Sequence, residues 1–192
     1  MSSGESTAWI TIPNGLTAVR IILILPFVAL ATTGRDQEAL VVFVIAGLTD
    51  TLDGTIARRR GQSSKIGRLL DPLADKLLTA ASFIALSLFR SGISVIPVWV
   101  MVAVVGRDLA ILGGSMIIYR ARRNSGFQPS IFGKLNTLIE IGVVVCFLAS
   151  SRIEFIAGLL PYLYVLLLIS VLISAGDYCR AGFRMLRESA RA

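Results

Sequence analysis

The chain has 192 residues, 55% of them hydrophobic and 16% charged, with a mean hydropathy of +0.77 and a net charge of +7. That composition excludes an ordinary soluble domain, in which about a quarter of the residues are charged. The absence of histidine excludes Ser–His and Cys–His catalysis and His-ligated zinc.

Six apolar segments follow one another, at about 16–32, 38–58, 67–89, 94–119, 130–149 and 156–175. Each approaches the roughly 20 residues needed to cross a bilayer. The runs are rich in Leu, Ile and Ala without period-two alternation, which predicts helices over strands. The expected fold is therefore all-α and integral to the membrane: a six-transmembrane-helix bundle forming one domain over residues 1–192. Residues 1–12 are expected to be a short N-terminal tail or interfacial lead-in, and 180–192 a basic cytoplasmic tail. The first twelve residues hold no Lys or Arg, so a signal-peptide n-region is not expected. Pro26 is expected to kink the first helix. Cys146 and Cys179 lie far apart in apolar sequence and read as small hydrophobes.

Basic residues set the orientation. The second and fourth connections and the C-terminal tail hold Arg58, Arg59, Arg60, Lys65, Arg68, Arg120, Arg122, Arg123, Lys134, Arg180, Arg184, Arg187 and Arg191. The opposite connections hold only Arg35, Arg90 and Arg152. By the positive-inside rule both termini face the cytoplasm of an inner or cell membrane. The net positive charge is thereby explained by topology and by anionic lipid, and no nucleic-acid partner is expected.

One stretch contradicts the grease around it. In the second segment only 39–48 is cleanly apolar, so its helix must continue through Asp50, Asp53 and Arg58, with those charges away from lipid. At about 100° per residue Asp50, Asp53, Gly54 and Ala57 share one face, with Arg58 at its flank. Gly67, Asp71 and Asp75 follow at four-residue steps on the third helix, again on one face. Two adjacent antiparallel helices can thus gather four carboxylates near the cytoplasmic surface. Like charges in a low dielectric repel, and one arginine cannot balance four acids. Divalent metal can, and an all-oxygen set selects Mg2+, Mn2+ or Ca2+ over zinc. Two such ions would clamp the attacking and leaving oxygens of a phosphoryl transfer. The rival reading is an ion or lipid transporter built on intramembrane acids; the inverted repeat expected of one is absent.

The pattern D-x-x-D-G-x-x-A-R-x8-G-x-x-x-D-x-x-x-D, at Asp50, Asp53, Gly54, Ala57, Arg58, Gly67, Asp71 and Asp75, resembles the signature of the CDP-alcohol phosphotransferase family, and the resemblance covers most of the chain. It implies a six-helix membrane enzyme, commonly dimeric, that transfers a phosphatidyl group from CDP-diacylglycerol to an alcohol and releases CMP. It further implies that Asp50, Asp53, Asp71 and Asp75 hold two divalent cations, Mg2+ or Mn2+, and that Asp75 is the general base. Asp50, Asp53, Gly54, Ala57, Arg58 and Gly67 would bind the CDP group.

Acceptor-binding candidates lie elsewhere. Pro13-Asn14-Gly15-Leu16-Thr17-Ala18-Val19-Arg20 resembles the first-helix opening of the phosphatidylglycerophosphate synthase and cardiolipin synthase branch. Arg107, about 18 Å from the cytoplasmic end of the fourth segment, needs an anionic partner: an acceptor phosphate, or a carboxylate such as Glu140. Lys134 at the start of the fifth helix would favour an anion there. The Arg107-Asp108 pair and the Lys134-Leu135-Asn136-Thr137 run resemble cardiolipin synthases, so the expected acceptor is phosphatidylglycerol first and glycerol 3-phosphate second.

Overall fold

In a computed structural model, residues 12–60, 67–91, 94–121 and 131–189 are described, with side chains at 18–49, 76–91, 94–114 and 131–180. Among the described residues there is helix and no strand. The helices are α1 (Ile12–Thr32), α2 (Asp36–Arg60), α3 (Gly67–Ile84), α4 (Val98–Ala121), α5 (Ile131–Ala149) and α6 (Glu154–Ser189), with a π-helical turn at Ala85–Phe89. They occur in the order of the six apolar segments. The chain divides into two compact units, Met1–Ser82 and Phe83–Ala192.

The first unit is built on the α1–α2 hairpin. α1 continues through Pro26 as one helix. It ends where Gly34 takes φ 76°, a left-handed value that a β-carbon disfavours. The Gly34 N–H then donates to the Ala31 carbonyl at 3.4 Å and the Arg35 N–H to the Leu30 carbonyl at 3.0 Å. These are the two bonds of a Schellman stop, and they satisfy helix-end carbonyls. α2 begins at once with Asp36, and Asp36 and Glu38 in its first turn suit the positive end of the helix dipole.

Phe27 and Ala31 of α1 and Ala39, Phe43 and Ala46 of α2 are buried. The Phe27 and Phe43 rings meet at 5.5 Å between centroids. The alanines let the two backbones approach, as small residues do between membrane helices. Phe27→Ala is expected to cost about 3 kcal/mol of stability, read as an earlier unfolding midpoint in detergent; an unchanged midpoint would mean that this ring pair does not hold the hairpin.

In the second unit α4, α5 and α6 each present one stripe inward. Val100, Val104, Arg107 and Asp108 are buried on α4, Val143, Val144, Phe147 and Leu148 on α5, and Tyr164, Leu167, Val171 and Ser174 on α6. The steps of three and four are those of one helical face. The Ile96 N–H donates to the Leu86 carbonyl at 3.1 Å, tying the chain before α4 to the π-helical turn. The Arg90 guanidinium lies 5.1 Å over the Phe147 ring, a cation–π contact that joins this region to α5.

The outer faces carry exposed Leu109, Leu138, Val165 and Leu172, the kind of apolar surface that lipid covers. Among the described residues, Ile131–Ala149 and Glu154–Arg180 are long and apolar enough to span a bilayer, and Ala18–Thr32 and Lys76–Phe89 are shorter apolar helices. This is the make-up of a membrane protein. α6 has 36 residues, about 54 Å at 1.5 Å each, which exceeds the hydrocarbon core of roughly 30 Å. Its last turns, Arg180–Ser189, are helix.

Candidate functional site

α2 positions the first pair of acids. Asp36, Ala39, Phe43 and Ala46 form its buried stripe. At about 100° per residue, positions 50, 53, 54 and 57 fall within about 60° of that stripe's centre. α3 does the same from the other direction. Leu78, Thr79 and Ser82 are buried, and positions 71 and 75 lie within about 30° of their centre, with Gly67 about 70° away. The signature positions lie on the described helices α2 and α3, and their spacing alone puts them in phase with those buried positions. The side chains of Asp50, Asp53, Ala57, Arg58, Asp71 and Asp75 lie outside the described residues, as do the metal and CDP contacts expected of them and of Gly54 and Gly67.

Arg20 is buried, 1% exposed, on α1. It stands seven residues before Phe27, and Asp50 stands seven after Phe43. In an antiparallel hairpin both displacements carry the same way, about 10 Å from the ring pair. Arg20 therefore lies at the level of Asp50.

The second unit holds a polar seam inside apolar helices. Arg107 and Asp108 of α4 have side chains only 4% and 5% exposed, with Arg107 Nη1 donating to Asp108 Oδ1 at 2.7 Å. Arg107 Nη2 donates to Ser174 Oγ on α6. The partners of Arg107 are Asp108 and Ser174 rather than Glu140. Glu140, fully buried on α5, instead accepts from the Asn136 amide one turn earlier. Ser170 Oγ of α6 donates to Asn136 Oδ1 at 2.7 Å. Ser170 and Ser174 are four residues apart, so one face of α6 carries two hydroxyls, one bonded to α5 and the other to α4.

Lys134 is exposed in the first turn of α5, two positions before buried Asn136 and so about 200° around the helix from it. Arg107 and Lys134 therefore do not share a buried surface within this unit. Ser170 and Ser174 were not singled out by sequence. Their signal is faint, because a lone serine in an apolar helix commonly bonds its own backbone; Ser170 does this as well, to the Leu167 carbonyl at 2.8 Å. Among the described residues no cluster of three or more His, Cys, Asp or Glu could hold a metal.

The second unit holds a buried arginine in apolar surroundings, where charge is costly and needs partners. The sequence model of the CDP-alcohol phosphatidyltransferase family matches residues 10–175, and the chain belongs to that family. It is a phosphatidyltransferase, and the family is generally dependent on divalent metal. The chain is 31% identical over 181 residues to the "CDP-diacylglycerol--glycerol-3-phosphate 3-phosphatidyltransferase" of Aquifex aeolicus, covering 91% of this chain and 97% of the relative. It is 27% identical to the Bacillus subtilis protein of the same name, with 93% and 98% covered. It is 32% identical over 151 residues to the "Probable cardiolipin synthase (CMP-forming)" of Drosophila melanogaster, covering 70% of this chain and 45% of that longer protein.

Proposed function

We propose that this protein transfers the phosphatidyl group of CDP-diacylglycerol to a hydroxyl of a glycerol that carries a phosphate. Phosphatidylglycerol is the first candidate acceptor and glycerol 3-phosphate the second. The reading rests on one observation, the family match over residues 10–175, and the helical spacing of the acids at 50, 53, 71 and 75 within that match supports it. The Asp108 and Asn136 positions support phosphatidylglycerol. Full-length similarity to the Aquifex aeolicus protein supports glycerol 3-phosphate. A transporter reading gains nothing from these matches.

Four carboxylates and no nitrogen or sulfur ligand form a hard donor set, which fits Mg2+ or Mn2+. Asp50, Asp53, Asp71 and Asp75 would hold two such ions, which when bound neutralise charge on the diphosphate. Gly54, Ala57 and Gly67 leave room along the CDP group, and Arg58 offers its guanidinium to a phosphate oxygen. The acceptor hydroxyl attacks the β-phosphorus and gives its proton to the Asp75 carboxylate. A new P–O bond forms, the bond to the α-phosphate oxygen breaks, and CMP leaves with the electron pair. Arg107 binds the acceptor phosphate. Arg20, at the level of Asp50, adds positive charge for the same anionic acceptor, whereas Lys134 is exposed at the α5 start and suits a lipid head group there.

The reading includes the wider architecture. Six spans form a single domain in an inner or cell membrane, with both termini and the active site on the cytoplasmic side, and the protein works as a homodimer. The test is purified protein in detergent with Mg2+ or Mn2+ and CDP-diacylglycerol, offered phosphatidylglycerol, glycerol 3-phosphate or inositol phosphate separately. CMP release with phosphatidylglycerol alone names the first acceptor, and release with glycerol 3-phosphate alone names the second. Release only with inositol phosphate would overturn the acceptor assignment.

A further inference from the structure

We propose that Ser174 of α6 is a positioning residue for acceptor recognition, acting through Arg107. The inference rests on Arg107 being the acceptor-phosphate ligand. Neighbouring residues on a helix do not face each other, so a pair between Arg107 and Asp108 lays the guanidinium along the surface of α4. Asp108 is on the same helix as Arg107, so this pair by itself does not tie the guanidinium to another helix. Ser174 does, because it reaches Arg107 Nη2 from α6. A planar guanidinium held at Nη1 by one helix and at Nη2 by another has a set orientation.

The third nitrogen shows what that orientation leaves open. Arg107 Nε is buried and has no hydrogen-bond partner. A buried donor in that state is unfavourable unless an acceptor oxygen completes it. Two nitrogens are anchored and the third is available to an anionic oxygen, the arrangement that suits recognition of a phosphate. Ser170, one turn earlier on α6, holds Asn136 of α5 in the same manner. The hydroxyl face of α6 is thus a common reference against which polar groups of α4 and α5 are aimed.

The test is steady-state kinetics in mixed micelles with Mg2+, varying CDP-diacylglycerol and the acceptor, phosphatidylglycerol or glycerol 3-phosphate, independently. Ser174→Ala is expected to raise the acceptor KM about tenfold, the scale of one hydrogen bond to a charged group. The CDP-diacylglycerol KM should stay within about twofold, since α6 acts only on the acceptor side. Ser174→Thr, which keeps the hydroxyl, should restore the acceptor KM. Ser174→Cys, close in size but a weak acceptor, should be intermediate and covers the case in which the alanine variant does not fold. In an Arg107→Gln background Ser174→Ala should add nothing.

An acceptor KM unmoved by both Ser174→Ala and Ser174→Cys, or a rise of both KM values together, overturns the inference. If Arg107→Gln raises the acceptor KM while the Ser174 variants do not, the positioning role fails and the function proposed for Arg107 stands. If Arg107→Gln leaves the acceptor KM unchanged, both fail.

Discussion

Asp75→Asn is expected to reduce phosphatidyl transfer by roughly a thousandfold, the scale lost with a positioned general base, while CDP-diacylglycerol still binds. The acceptor is an ordinary alcohol, and its proton must leave as the oxygen attacks phosphorus. Asparagine keeps the size of the side chain and one oxygen, so it removes the proton acceptor and one unit of negative charge with little else. Asp75 belongs to α3, whose helix extends unbroken from Gly67 to Ile84. Two measurements separate the roles: CMP release in single turnover for the chemistry, and equilibrium binding of labelled CDP-diacylglycerol for the donor site. Wild-type turnover by the variant would remove Asp75 from the role of base. Lost binding together with lost turnover would make it a ligand of the donor complex only.

Removal of divalent cations is expected to have an effect of the same order. Four acids in helical register within apolar sequence cannot all stay ionised without cations, because each destabilises the charge of the others. Chelation with EDTA should bring CMP release to background, and excess Mg2+ or Mn2+ should restore it. Zn2+, which prefers nitrogen and sulfur ligands, should not. Full activity in EDTA would mean that the carboxylates are balanced by protein cations such as Arg58. Asp50→Asn and Asp71→Asn should raise the Mg2+ concentration needed for half-maximal rate, which ties the metal to these positions and not to the substrate alone.

Much of this was legible in the sequence because both the helices and the acid pattern obey one period. The six apolar segments correspond in order to α1–α6, while the side chains of the four acids lie outside the described residues. What escaped was what depends on neighbours in space. Arg107 announced that it needed a partner, and Glu140 was a reasonable candidate, since it is an acid on a nearby apolar helix. The partners are Asp108 and Ser174, and no one-dimensional spacing links residues 107 and 174. Lys134 and Asn136 read as one run, yet helical phase makes the first exposed and the second buried.

The basic tail expected from Arg180, with Arg184 and Arg187, is helical as far as Ser189. Helix formation does not need apolar residues, and Arg, Leu, Met and Glu are all good helix formers, so α6 continues to Ser189. Pro26, expected to kink α1, lies inside that helix.

The central claim is that the acids of α2 and α3 carry the chemistry. It is tested most directly by CMP release from CDP-diacylglycerol, with Mg2+ and acceptor, for the wild-type chain and a folded variant carrying Asp→Asn at 50, 53, 71 and 75. Acceptor-dependent CMP from the wild type and none from the variant is the predicted result. Equal release from both would contradict it.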